Sequence, residues 1–330
     1  MRINELQEKV GMTISKYNLI QKNDIIIIGV SGGPDSMTLL DILDKLKNKF
    51  EIKLIVAHIN HMLRKEADIE EEFVKENCKK RNISFFAEKI DINRMAQKEK
   101  IGLEEAGRMA RYNFFDEIRK KTNANKIALA HQANDNAETI LMHLIRGSGS
   151  LKGIAPMREG IYIRPLIEIT REEIEEYCNE MNLSPKTDQS NNENIYTRNK
   201  IRNLLIPYIE KNFNPGIVHS LNRYSLIEEE KMQYIKKHVQ EAYIEVLEEK
   251  NKKIIILNLK KFNKLEKVIK SEILRHTIIE LIGTINNIEK KNIDDIIKLC
   301  ANNIGNKQLK PNKSIKIEIN HGKIFLESVN

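Results

Sequence analysis

The sequence predicts an α/β protein, a mainly parallel sheet with helices on both faces, followed by a smaller and mostly helical second domain. Three observations carry this. Asp24 to Val30 is a short, nearly continuous apolar run, followed by a glycine loop and then by Leu39, Leu40, Leu43 and Leu46 at helical spacing. Strand-like and helix-like segments then alternate as far as Arg146, the pattern of a parallel sheet joined by crossover helices. Beyond Phe213-Asn214-Pro215-Gly216 no further strand-glycine-helix unit occurs.

In order along the chain, Lys53 to His58 reads as the second strand, Ala67 to Arg81 as a charged helix and Ile83 to Ile90 as the third strand. Leu103 to Lys121 reads as a helix, Lys126 to His131 as the fourth strand and Asn136 to Arg146 as the helix after it. Arg146-Gly147-Ser148-Gly149-Ser150 then predicts a glycine-rich loop. A boundary at Pro215 divides the chain into domains 1–215 and 216–330. The second carries Leu221, Tyr224 and Ile227 at helical intervals. It ends in the alternation Ile315, Ile317, Ile319, a turn at His321-Gly322 and Ile324-Phe325-Leu326, which reads as a β-hairpin.

Hydrophobic residues make up 41% and charged residues 31% of the 330 positions, a composition that argues against disorder. Charges interrupt the first twenty residues, and no apolar run approaches the roughly 20 residues that span a bilayer, so no membrane partner and a cytoplasmic location are expected. Cys78, Cys178 and Cys300 lie far apart, with no C-x-x-C pair to suggest a disulfide framework, a zinc site or a cluster. The net charge of +8 favours a polyanionic partner, although abundant Lys, Asn and Ile also fit an AT-rich genome.

Ligands of such sheets bind beyond the carboxyl ends of the strands. The unusual residues gather at those ends: the loop Ser31-Gly32-Gly33-Pro34-Asp35-Ser36, the stretch His58 to Arg64, and the stretch His131 to Glu138. A strand-to-helix loop that approaches a phosphate needs glycine where the backbone bends, and Gly32 and Gly33 meet that need. Ser31 and Ser36 add hydroxyls, and Asp35 adds a carboxylate that suits Mg²⁺ better than a bare phosphate. Neither G-x-x-x-x-G-K-[ST] nor G-x-G-x-x-G occurs here, which favours chemistry at an α-phosphate. An ordinary helix-capping turn is the plainer alternative.

Ser31 to Ser36 matches Ser-Gly-Gly-x-Asp-Ser, and on it the chain resembles the N-type ATP pyrophosphatases of the PP-loop superfamily, whose fold is adenine nucleotide alpha hydrolase-like. Such enzymes transfer AMP from ATP to a substrate oxygen, release pyrophosphate and let a nucleophile displace the AMP. Adenylation turns a carbonyl oxygen, a poor leaving group, into part of a good one. Four further segments resemble the tRNA(Ile)-lysidine synthase family: His58 to Arg64, Glu105 to Tyr112, Ala130 to Thr139 and Leu144 to Gly149. Asp188-Gln189-Ser190-Asn191 and Tyr196 to Arg202 follow in the same order. The resemblance implies ATP and Mg²⁺ as cofactors, with tRNA(Ile) bearing a CAU anticodon and free L-lysine as partners. O2 of the wobble cytidine is adenylated and the lysine ε-amine displaces AMP, giving lysidine. A homodimer is left open.

The same resemblance assigns ATP to Ser31, Gly32, Gly33, Pro34, Asp35, Ser36, Ala57 and His58, and Mg²⁺ to Asp35 and Asp135. Catalysis is expected from Asp35, Arg111, His131, Asp135 and Glu138, with His131 giving a proton or a hydrogen bond. Asp135 and Glu138 would pair with the lysine α-ammonium, Arg111 or Arg202 with its carboxylate, and His61 and Arg64 with adenine or RNA. Asp135 and Glu138 also fit the capped first turn of a helix, and Arg108 reads as structural. Gln132, Asn134 and Gly107 depart from the family pattern and are read as tolerated variants. Lys231, Lys236, Lys237, Lys252, Lys253, Lys260, Lys261 and Lys264 would track RNA phosphates or form a solvated face. A tRNA thiolase, a small-molecule amidating ligase and an RNA-binding protein with an inactive loop are the rival readings.

Overall fold

The computed structural model describes residues 3–62, 67–147, 151–186, 197–302 and 307–329. The chain forms two compact units, residues 1–226 and 227–330.

In the first unit β1 (Ile25–Gly29), β2 (Lys53–Asn60), β3 (Ser84–Lys89), β4 (Lys126–Ala128), β5 (Met157–Arg158) and β6 (Tyr162–Ile163) form one sheet in the order β3-β2-β1-β4-β6-β5. All neighbours run parallel except β5, which pairs antiparallel with β6 at the edge. The sequence of β1, Ile-Ile-Ile-Ile-Gly, suits the most central position, because each face of it meets helices. Ile26 and Ile28 pack with α1 (Ile3–Lys16), α2 (Pro34–Phe50), α3 (Ala67–Lys80) and α7 (Arg171–Glu180). Ile27 packs on the other face with Phe114, Phe115 and Ile118 of α5 (Leu103–Thr122). All three isoleucines are fully buried, each stabilising the fold by about 1.5–3 kcal/mol. The two-faced parallel sheet is the expected architecture; α4 (Ile92–Glu99), α7 and the edge strands add to it.

α6 (Ala133–Ile145) starts at the carboxyl edge beyond β4. Ala133, Ala137 and Leu141 of α6 pack on Ile201 and Ile206 in a helical segment built of α8 (Thr197–Lys200), a π-helical turn (Ile201–Leu205) and α9 (Ile206–Asn212). Pro207 explains the loosened turn, since its missing N–H removes a helical bond to the preceding turn.

α10 (Ile217–Val246) begins in the first unit and ends in the second. The second unit combines α11 (Leu259–Asn263), α12 (Lys267–Ile282) and α13 (Lys290–Asn302) with a five-stranded antiparallel sheet. That sheet holds β7 (Leu247–Lys250), β8 (Ile254–Asn258), β9 (Lys307–Asn312), β10 (Ile315–Asn320) and β11 (Lys323–Ser328), in the order β7-β8-β11-β10-β9. The β10-β11 hairpin closes through His321 and Gly322, at φ 47° and 71°, the two positive values a tight two-residue hairpin turn requires. Ile315, Ile317 and Ile319 point into the core, as their alternation predicts.

Candidate active site

β1 delivers the chain to a cleft of about 630 Å³ at the carboxyl edge of the sheet. Gly29 is required there because a Cβ would lie 2.6 Å from the Phe115 ring, which forms part of the cleft wall. Gly32 turns the loop at φ +93°, a conformation that favours glycine. The two serines lock the turn: Ser31 N donates to Ser36 Oγ at 3.1 Å, and Ser36 Oγ donates to the Gly33 carbonyl at 3.0 Å. Gly33 is the N-cap of α2 and makes no side-chain cap bond, so the first amides of the helix lie open to an anion. Lys186 N donates to the Gly32 carbonyl, which brings Lys186 into the lining beside the loop.

Asp35, in the first turn of α2, has its pKa pushed up to about 7. Burial is the main cause and the Asp135 charge the next, with Arg171 and Arg202 opposing them. The two carboxylates thus sense each other across the cleft. Two facing acids fit a divalent cation delivered on phosphates, a role for which Mg²⁺ commonly uses one or two protein carboxylates. Asp35 fits that role directly. Asp135 fits it less freely, because Oδ2 accepts from Gln132 N at 3.1 Å while Oδ1 accepts from Arg198 Nη2 at 3.1 Å and Arg202 Nη2 at 3.0 Å.

Glu138, one turn further along α6, is fully buried. Its Oε2 accepts from Arg198 Nε at 2.7 Å and Arg202 Nη2 at 3.0 Å, and its Oε1 from Arg202 Nε at 2.5 Å. The spacing of Asp135 and Glu138 on one helical face is matched by the four-residue spacing of Arg198 and Arg202, and the four side chains interlock. β2 contributes His58, whose Nδ1 bonds the Val30 carbonyl at 2.8 Å and so directs Nε2, which has no partner, as the acceptor.

The sequence profile of the PP-loop domain matches residues 3–209. The tRNA(Ile)-lysidine synthase of Clostridium acetobutylicum is 46% identical over 317 residues, which cover 95% of this chain and 68% of that protein. The Clostridium tetani enzyme of the same name is 44% identical over 318 residues, 95% of this chain and 67% of that protein. The chain belongs to the tRNA(Ile)-lysidine synthase family. It spans about two thirds of the length of these relatives. A solved U34-tRNA thiolase from Methanococcus maripaludis superposes with a TM-score of 0.58 at 18% identity, covering 68% of this chain and 78% of that one, a likeness of fold.

Of the residues expected in this lysidine synthase family site, Ser31, Gly33, Pro34, Asp35, Ser36, Ala57, His58, His61, Arg111, His131, Asp135 and Arg202 line the cleft. Gly32 shapes it from behind. Arg64, the segment from Asp188 to Asn191, and Tyr196 lie outside the described residues. Glu138 and Arg202 are joined in one ion-pair cluster. Glu138 is absent from the lining and fully buried, and both of its oxygens accept from Arg198 and Arg202, so it meets the cleft through those arginines. Arg202 is committed to Glu138 and Asp135, whereas among the described residues no ion pair engages Arg111, which lines the cleft. The departures Gln132 and Asn134 have structural work: Gln132 caps α6 by accepting from Asn134 N at 2.7 Å, and the Asn134 carboxamide accepts from Arg171 N at 3.0 Å. Sequence reasoning did not single out Arg198, Arg171 or Lys186. For Arg198 a signal was available in its four-residue spacing from Arg202.

For His131, expected to give a proton or a hydrogen bond, the surroundings favour the second. Burial, then Arg164, Arg198, Arg111 and Arg108, push its pKa down to about 3, so it is a neutral hydrogen-bonding group rather than an imidazolium donor. The unfolded chain takes up this proton near pH 6.5, and the folded protein only near 3. The native state therefore loses stability as pH falls below about 6.5. His131→Asn is expected to lose less of its melting temperature than the parent between pH 7.5 and 4.5. Equal losses in the two proteins would place the imidazole in a solvated environment.

Proposed function

We propose that this chain ligates free L-lysine to C2 of the wobble cytidine of tRNA(Ile) with a CAU anticodon, through an adenylated cytidine, releasing pyrophosphate and AMP. The reading is carried by one observation: the open amides of the Ser31–Ser36 loop, the acid Asp35 and the guanidinium of Arg111 line a single cleft. One chamber of this size can hold a nucleotide beside a second reactant.

In the first step cytidine O2 attacks the α-phosphorus and the bond to pyrophosphate breaks. The helix amides from Asp35 onward would receive the charge that develops on the leaving phosphates, with Lys186 and the ion-paired Arg198 also in the lining. Mg²⁺, held by Asp35 with Asp135 contributing its remaining lone pair, would neutralise phosphate charge. In the second step neutral lysine Nζ attacks C2, the C2–O2 bond breaks and AMP departs with the oxygen. Arg111 takes the lysine carboxylate; the residue is exposed and lines the cleft, and desolvation there lowers its pKa. The charge of Asp135, in the same lining, favours the α-ammonium through space, without a further hydrogen bond. Glu138 is a positioning residue that fixes Arg198 and Arg202. His58 Nε2 is an acceptor suited to the adenine amino group.

Amine rather than sulfur transfer is favoured because Cys78, Cys178 and Cys300 are all buried and none lines the cleft. Among the described residues no helix is long and apolar enough to cross a membrane. The exposed lysines of the second unit, Lys236, Lys237, Lys252 and Lys253 among them, are assigned to RNA phosphates. The test is incubation with tRNA(Ile) transcript, Mg-ATP and labelled lysine: RNA-bound lysine should equal pyrophosphate released. Pyrophosphate without lysine in RNA would point to a different nucleophile.

A further inference from the structure

Outside the lining of the cleft, at the same edge of the sheet, guanidinium groups gather around two tyrosines. Arg108 and Tyr112 lie one turn apart on α5, and the Arg108 guanidinium carbon is 5.3 Å from the Tyr112 ring centre. Arg158, on β5, is 4.9 Å from Tyr112 and 4.4 Å from Tyr162, and the two rings meet edge-on at 5.0 Å. Arg164, just beyond β6, is 4% exposed. Its Nη1 donates to the Ala155 carbonyl at 2.6 Å, and its Nε has no partner.

The cluster lacks negative charge. Among the described residues no ion pair engages Arg108 or Arg164, and Arg158 has only a loose 3.5 Å approach to exposed Glu159. Asp116, on α5, is taken by Arg119 and Lys120. Burial lowers the pKa of Arg164; Tyr112, which hydrogen-bonds to it, opposes this, and Arg158 and Arg108 lower it further. A buried cation is ordinarily paired, so Arg164, with the less buried Arg108 and Arg158 beside it, is suited to an anion brought by a ligand.

We propose that Arg108, Arg158 and Arg164 bind a backbone phosphate of the RNA substrate, beside the nucleotide whose base enters the cleft. The proposal rests on the functional reading above. Arg164 leaves the sheet two strands from β1, about 10 Å across. That sets it to the side of the Ser31–Ser36 loop, toward the backbone of a nucleotide whose base lies in the cleft. Planar guanidinium forks match phosphate oxygens. The faces of Tyr112 and Tyr162 already carry guanidiniums, so an anion rather than a stacked base is the ligand. A lysine carboxylate has its own partner in Arg111, inside the cleft.

The test uses the full chain with Arg108→Gln and Arg158→Gln combined, since neither residue is buried. The KM for tRNA should rise about tenfold, and the slope of log Kd against log salt should shrink by about 1–2, with the KM values for ATP and lysine unchanged. Methylphosphonates at the phosphates flanking the reacting cytidine should reproduce the loss of affinity in the parent and add nothing in the variant. A parent-like tRNA KM and salt slope would overturn the proposal, and so would a rise in lysine KM instead. If the parent ligates no lysine, the functional reading fails. The salt and methylphosphonate arms measure binding and decide the phosphate site independently.

Discussion

Asp35→Asn is expected to reduce pyrophosphate release by about 10²–10³-fold and, in the ligand-free protein above pH 7, to raise the melting temperature. The loss follows from removing the acid that stands at the open start of α2 and is assigned to the magnesium-phosphate group. The gain follows from linkage. Folded Asp35 keeps its proton up to about pH 7, whereas the unfolded carboxyl releases it near 3.8. Its contribution to stability is present below 3.8 and is lost as pH rises through 7. Above that, the parent carries a charge that burial and Asp135 disfavour, and asparagine does not. The advantage of the variant should be about 1–2 kcal/mol at pH 8 and vanish near pH 4. Melting curves at both pH values with a pyrophosphate assay check this. A variant less stable than the parent at pH 8 would show that Asp35 is compensated in the resting cleft.

Arg202→Met is expected to destabilise the first unit by about 3 kcal/mol, at the low end for breaking a buried ion pair because Arg198 still holds Glu138. In a unit of this size that corresponds to about 6–12 °C in Tm. Glu138 is the cause: it is fully buried, and without Arg202 its Oε1 loses its 2.5 Å partner. Combining Arg202→Met with Glu138→Gln should recover most of the stability, since a neutral amide needs no counter-ion, while lysine transfer stays impaired. Thermal denaturation of the two variants separates the roles. A single variant within about 0.5 kcal/mol of the parent would mean that the four-residue cluster is solvated.

What was legible from sequence was local. The phosphate loop could be read because its needs fall within six adjacent residues: a positive φ at Gly32, hydroxyls at Ser31 and Ser36, and an acid in the first turn. The hairpin at His321-Gly322 and the buried isoleucines of β1 are equally local. Partnership across distance was not legible. Helical spacing placed Asp135 and Glu138 on one face but could not say that arginines sixty or more residues ahead engage both carboxylates. His131 could be recognised as a strand-end histidine, yet its neutrality depends first on its burial in the folded chain and then on Arg164, Arg198, Arg111 and Arg108 converging on it. Thr170 and Glu173 carry a capping box that could have announced α7, whereas β5 and β6, two residues each, are too short for any periodicity to register.

In the proposed reaction the RNA, not lysine or the protein, is the adenylated species. This is tested by supplying ATP labelled at its α-phosphate together with tRNA(Ile) in the absence of lysine. Label should enter the RNA with matching release of pyrophosphate, and unlabelled lysine added next should discharge it as AMP while one lysine is bound per AMP lost. Label found on lysine or on the protein, or RNA-bound label that lysine does not discharge, would contradict an adenylated cytidine intermediate.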